Sequence, residues 1–283
     1  MVSKVAVVTD STAYLPPGLA ERHHLTVIPL QLSIGGGMHE EGVDITAADT
    51  AQALREWHPV TTSRPSPERF AHAYKAAAGA GATGIVSVHL SGAMSGTAEA
   101  ARLAAESAPV PVEVVDTGTI GMGLGFAALS AAAAALRGAG IGEAAQAAMR
   151  RAETSCSLFY VDTLEHLRRG GRIGAASALL GSALMVKPLL CIVAGRIAPL
   201  EKVRTASRAI ARMEELAIET AAGLHVDVAV QHLAAPARAE ALAARLRERI
   251  PHLMDLYVGE VGPVIGAHVG PGMLGVVVAP QLG

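Results

Sequence analysis

Between residues 5 and 115 the chain alternates short runs of β-branched residues with longer alanine-rich runs, and few folds accommodate that grammar. Strands are expected at 5–9, 27–34, 84–89 and 112–115, with helices at 48–57, 67–78, 96–107 and 123–136. Strand, helix and strand in succession close most readily as a parallel pair joined by a right-handed crossover. The helix beginning at residue 67 is sharply marked, because Ser66 can cap it, Pro67 suits its first position and Glu68 favours the positive end of its dipole.

After a further helix at 143–153 the grammar changes. Strand-like runs at 158–161, 226–231 and 275–278 accompany an apparent hairpin, 189–193 and 196–203, that turns at Ala194-Gly195. Strands joined by a tight glycine turn pair antiparallel. The expected fold is therefore α/β in two domains. Residues 1–153 carry a mainly parallel sheet flanked by helices, and residues 154–283 carry a mixed, partly antiparallel sheet with helices. The cleft between two such domains is the default position for a ligand.

Composition narrows the function. Hydrophobic residues make up 51% of the chain and charged residues 17%, with a mean hydropathy of +0.38. Yet the longest weakly polar stretch, residues 124–136, contains Ser130 and falls short of the roughly 20 apolar residues a spanning helix needs, so it reads as a buried helix. Met1-Val2-Ser3-Lys4 runs straight into Val5-Ala6-Val7-Val8 with no secretory signature, so a cytoplasmic location is expected. Cys156 and Cys191 sit in apolar, strand-like segments without metal-ligand spacing and read as reduced core residues. A net charge of −2 and 3% aromatic residues offer neither a phosphate-tracking surface nor a base-stacking platform, which excludes nucleic acid as a natural partner.

Hydroxyls, glycines and prolines gather where strands end, the place an open α/β sheet offers its ligands. Asp10-Ser11-Thr12 follows the first strand and serves either as turn caps or as a polar wall beside a pocket. Thr61-Thr62-Ser63-Arg64-Pro65-Ser66 offers more hydroxyls than one helix cap uses, leaving at least one to donate to an anion. Leu90 through Thr97, with Ser91, Ser95 and Gly96, follows a strand and opens a helix, where free N–H groups and the dipole favour a carboxylate or phosphate. It is neither a dinucleotide fingerprint nor a P-loop. His268-Val269-Gly270-Pro271-Gly272 holds a histidine in a stiff turn, either as an aimed donor or as an ordinary core residue. No hydrolase, metalloprotease or kinase motif is present, and a triad of Ser95, His268 and Asp10 has no support in their spacing.

Taken together, these segments resemble the DegV family. Its pattern is met by Asp10-Ser11-Thr12, Thr62-Ser63-Arg64-Pro65-Ser66, Leu90 through Thr97, Gly170-Gly171-Arg172-Ile173, Val203-Arg204 and His268-Val269-Gly270-Pro271-Gly272, in family order. Two positions depart from it: Arg64 where glutamine is common, and Ala98 where tyrosine is frequent. The resemblance implies one bound long-chain fatty acid, no other cofactor and no metal. It puts Thr62 and Ser95 on the carboxylate with His268 near them, and Ser11, Thr61, Gly96 and Thr97 beside it. It also implies a non-catalytic role, the acyl-binding subunit of a fatty acid kinase whose separate subunit binds ATP. Arg172 and Arg204 then either dock that partner or steady the phosphate, or else are solvated surface arginines. Two other readings stay open: an autonomous hydrolase or transferase using Ser95 or His268, and a lipid sensor without a kinase partner.

Overall fold

The structure, a computed structural model, describes residues 4–179 and 187–281. Contacts divide the chain into two compact units that are not its two halves. One takes the residues up to Gln31 together with Ser63–Thr154; the other takes Leu32–Thr62 together with the residues from Ser155 onward. Where the sequence places residues 1–153 in one domain, the segment Leu32–Thr62 thus counts with the second unit.

The first unit is built on a four-stranded parallel sheet in the order Leu25–Ile28, Val5–Asp10, Gly84–His89, Val112–Asp116. The central strands are buried along most of their length, as parallel strands covered on both faces must be. Helices Pro67–Gly79 and Thr97–Ala105 close one core, in which Phe70, Tyr74, Ala100, Ala101 and Ala104 meet Val8, Ile28 and Ile85. Helix Met122–Leu136 packs on strand Val5–Asp10 and on helix Ile141–Thr154, and its buried residues run round the whole helix. No helix among the described residues is long and apolar enough to cross a membrane.

The second unit carries a six-stranded mixed sheet in the order Arg196–Val203, Lys187–Val193, Cys156–Tyr160, Leu274–Pro280, Val226–His232, Leu253–Glu260. All its pairs are antiparallel except the last, where helix Pro236–Arg249 makes the crossover between parallel strands. Leu158, Leu189, Val228, Val230 and Val276 form its core with Met213 of helix Ala206–Ala221 and with Leu242 and Leu246 of the crossover helix. Cys191 belongs to this core and Cys156 packs against it; both thiols are unpaired, and burial pushes both upward in pKa.

Two sequence expectations need correction. The single strand at 27–34 is two strands, Leu25–Ile28 and Gln31–Ile34, in different sheets; the second joins a three-stranded sheet with Gly37–Glu40 and Val60–Ser63. Pro29 has no N–H for a ladder, and the N–H of Leu30 turns instead to the Ser11 hydroxyl at 3.0 Å. Ser66 does occupy the N-cap position with Pro67 behind it, but its side chain caps no backbone group; it bonds Glu68, whose carboxyl is thereby held below its usual range.

The hairpin at Ala194-Gly195 forms as read, with Arg196 opposite Val193. Both turn residues have positive φ, +48° at Ala194 and +74° at Gly195, the signature of a type I′ turn. An alanine there bears the left-handed strain that asparagine largely avoids. Ala194→Asn should therefore raise the unfolding free energy by about 0.5–1 kcal/mol, measured as a higher urea midpoint at unchanged slope.

Candidate functional site

The parallel strands of the first unit end at Ile28, Asp10, His89 and Asp116, and the loops that leave those ends carry the predicted hydroxyls. Asp10 is fully buried and organises two of the loops. One carboxylate oxygen accepts from the Thr12 N–H at 3.1 Å and the Thr12 hydroxyl at 2.5 Å; the other accepts from the Leu90 N–H at 3.1 Å and meets His89 Nδ1 at 2.9 Å. His89 Nε2 reaches Ser87 Oγ at 2.7 Å, and the Tyr74 hydroxyl donates to the same oxygen at 2.8 Å. This aspartate–histidine–serine chain has the connectivity of a hydrolytic triad, but every member is sealed from solvent, so no substrate reaches the serine. Burial also pushes the Tyr74 phenol up to about 12. Ser11 Oγ accepts from the Leu30 N–H, so its oxygen braces the loop.

In the Leu90–Thr97 loop the expectation of free N–H groups is met only toward its end. The amides of Ala93, Met94 and Ser95 all turn back to Ser91. Anion-binding capacity therefore begins at Gly96, the N-cap of helix Thr97–Ala105, whose first-turn amides have no partner within the helix. Ser95 Oγ lies 2.8 Å from Thr97 Oγ1, and the Thr97 side chain is buried beneath it. When Thr97 donates, the Ser95 hydroxyl keeps its proton for another acceptor. Arg64, which stands where the family commonly has glutamine, lies along Gly96, with Nη1 at 3.4 Å from its carbonyl; a Cβ at position 96 would strike the guanidinium. It adds positive charge beside a helix start that already favours anions.

The second unit supplies a matching arrangement. Thr62, in strand Val60–Ser63, places Oγ1 at 2.8 Å from Nε2 of His268, near the end of helix Pro263–Val269. Nδ1 of His268 is buried and has no hydrogen-bond partner among the described residues. A buried lone pair without a donor costs less than a buried N–H without an acceptor, which places the proton on Nε2. Nε2–H then donates to Thr62 Oγ1, and the Thr62 O–H is left to donate outward. Desolvation, with Arg172 nearby, holds the imidazole neutral by depressing its pKa to about 4. Thr61, on the same strand, is exposed and lies on the opposite face.

The Gly170-Gly171-Arg172 and His268-to-Gly272 motifs interlock. The Cα of Gly170 lies against the His268 ring, that of Gly270 against His166, and that of Gly272 against the carboxylate of Asp162, so a Cβ at any of the three would collide. Asp162 in turn accepts a short hydrogen bond from Tyr160, and Lys187 donates to its carbonyl at 2.8 Å. Arg172 folds back to donate to the Gly170 carbonyl at 2.7 Å, whereas Arg204 is exposed beyond strand Arg196–Val203. Of the three residues weighed as a triad, each has a hydrogen-bond partner within its own unit: Ser95 has Thr97, His268 has Thr62 and Asp10 has the His89 network. Among the described residues no group of three or more His, Cys, Asp or Glu is placed to hold a metal ion.

Residues 4–281 match the family model described as "Uncharacterised protein, DegV family". The chain belongs to the DegV family. A DegV domain-containing protein of Streptomyces coelicolor is 61% identical over 281 residues, spanning 99% of this chain and all of that one. Among solved structures, a fatty-acid-binding DegV family protein of Thermus thermophilus superposes with a TM-score of 0.92 at 33% identity, covering 98% of this chain and 100% of its own. DegV of Bacillus subtilis, a fatty acid binding protein, superposes with a TM-score of 0.91 at 33% identity, covering 99% and 100%. The DegV motifs read from the sequence are thus the loops and turns just described.

The neutral histidine of this DegV chain makes its stability depend on pH. A free imidazole titrates near 6.5 and the folded one near 4, so between these values the unfolded chain binds the extra proton. The contribution is complete above 6.5 and is lost as pH falls toward 4; it amounts to something on the order of 3 kcal/mol. In His268→Gln, urea denaturation between pH 4 and 6.5 should show a shallower rise of stability with pH than in the parent chain. Parallel curves would remove His268 from the titration.

Proposed function

We propose that the chain binds one long-chain fatty acid in the cytoplasm, with the carboxylate accepting hydrogen bonds from Thr62 and Ser95. The observation that carries this reading is that each hydroxyl is backed by a partner side chain, the half-buried His268 behind Thr62 and the buried Thr97 behind Ser95, which leaves an O–H to donate. Arg64 and the start of helix Thr97–Ala105 favour negative charge at the second hydroxyl, and Gly96 permits close approach. The fatty acids bound by the Thermus thermophilus and Bacillus subtilis relatives support the choice of ligand. A hydrolytic role is disfavoured. A general base should titrate near the working pH, and His268, held to about 4 with nothing orienting Nδ1, is a poor acceptor for a nucleophile's proton.

Each buried methylene contributes about 0.8 kcal/mol, so a tail of roughly sixteen carbons supplies on the order of 10 kcal/mol before ordering costs, enough to survive purification. Mass spectrometry of an organic extract of the purified protein should give about one fatty acid per chain; a nucleotide or sugar phosphate in its place would sink the reading. Thr62→Val and Ser95→Ala should each weaken binding by roughly 10- to 100-fold. Because both hydroxyls serve one carboxylate, the double variant should lose less than the product of the two. Strictly independent losses would assign them to separate sites.

The bound carboxylate is then presented to the ATP-binding subunit of a fatty acid kinase. The chain has no phosphate-cradling loop followed by lysine, so the phosphoryl group must come from a partner. Arg172, tied into the His268 cluster, and the exposed Arg204 supply cations for docking or for the transferred phosphate. Arg204→Ala should leave fatty-acid affinity within about threefold while lowering coupled acyl-phosphate formation at least about tenfold. Equal losses in the two assays would make Arg204 part of the pocket.

A further inference from the structure

The helix that carries His268 is poorly equipped to hold itself in place. Pro263–Val269 is only 7 residues long, has a glycine in its middle at 266 and is flanked by Gly262 and Gly270. Isolated helices of this length are unstable, and glycine weakens them further. The N-cap residue, Gly262, has no side chain with which to cap, and Pro263 brings no N–H. The first amide that needs an acceptor is that of Val264.

That acceptor comes from 223 residues away. Glu41, 4% exposed, accepts from the Val264 N–H through Oε1 at 2.7 Å. Val264 and His268 are four residues apart and so lie one above the other on the same face of the helix. Glu41 stands in the same segment, Leu32–Thr62, as the residue that bonds His268 from the other end. Between these two anchors, helix Ala47–Arg55 packs on the His268 helix, where Gly266 admits Leu233 and the methyl group of Thr50 at close range. That supporting helix is itself fixed by a full capping box between Thr46 and Asp49. One segment thus grips the short helix at its start, along its side and, through Thr62, at its functional end.

We propose that Glu41 is a positioning residue for the Thr62–His268 pair. Its carboxylate fixes the start of the helix, and with it the height at which Nε2 of His268 meets the Thr62 hydroxyl. The carboxylate suits the task because a charge-assisted bond at a helix start is stronger than a neutral one and opposes the positive end of the helix. A buried carboxylate kept only for stability would leave the histidine's environment unchanged when altered conservatively; a positioning carboxylate would not.

The inference rests on the fatty-acid reading for its meaning but not for its test. The titration of His268, followed by NMR of its imidazole in the lipid-free full-length chain, reports the helix position directly, with Arg172 as the charged group facing the ring. Glu41→Ala should move the midpoint from about 4 toward 6.5 by at least about one unit, and Glu41→Asp, which withdraws the oxygen by one methylene, should move it the same way by less. Glu41→Gln keeps the accepting oxygen and should stay nearest the parent. With oleate as the probe, the dissociation constant should rise about tenfold for the alanine variant and less than about threefold for glutamine. An unmoved His268 titration in Glu41→Ala would overturn the proposal. If that variant does not fold, an unmoved titration in Glu41→Asp overturns it equally. Absence of oleate binding by the parent chain would instead count against the fatty-acid reading, leaving the titration to decide the role of Glu41.

Discussion

A single hydrogen bond, from Nε2 of His268 to Oγ1 of Thr62, ties together the parts of the second unit that the sequence motifs single out. Its value lies less in its own strength, about 1 kcal/mol for a neutral pair, than in what it demands of its surroundings. The ring must be neutral, so it is desolvated. It must be close to the backbone that covers it, so position 170 is glycine. It must be level with Thr62, so its helix is anchored from outside. Each demand is met by a residue that, taken alone, would look like an ordinary structural choice.

The first unit solves a similar problem by a different route. There the loop with Ser95 grows from the end of a rigid parallel sheet, and a buried aspartate holds two neighbouring loops at once through four contacts. The polar chain from Asp10 to Tyr74 is satisfied at each link shown, the condition under which buried polar groups specify a structure instead of weakening it. In both units a partly covered hydroxyl residue has a second side chain beside it to take up one of its hydrogen-bonding roles.

Much of this was legible in the sequence because turn chemistry is local. The Ser66-Pro67 helix start, the glycines and hydroxyls of residues 91–97 and the Ala194-Gly195 turn all leave marks within a few residues, and those marks located the loops. Pro29 was equally local, and it separates two strands that a hydrophobic run alone joins. What stayed hidden is what depends on partners far apart in the chain. Glu41 reads as one acid in a polar stretch, and nothing near it announces an amide 223 residues on. Ser87 and His89 sit inside a buried strand, where alternation gives no hint that they form a chain with Asp10. Strand Leu253–Glu260 escaped for another reason: as an edge strand only partly covered, it lacks both a continuous apolar run and a clean alternation. The membership of Leu32–Thr62 in the second unit is likewise a fact of packing, with no sign in its composition.

That membership has a consequence for how the protein comes into being. During synthesis the segment bearing Thr62 leaves the ribosome early, but the histidine it bonds lies 206 residues later. At translation rates of about 5–20 residues per second, the segment waits roughly 10–40 s for its partner. Throughout that interval its capping box can form, but the Val264 amide and the His268 ring that Glu41 and Thr62 bond are not yet there. The Thr62–His268 and Glu41–Val264 bonds are therefore completed only after the short helix at 263–269 has emerged, and a chain cut before it has neither.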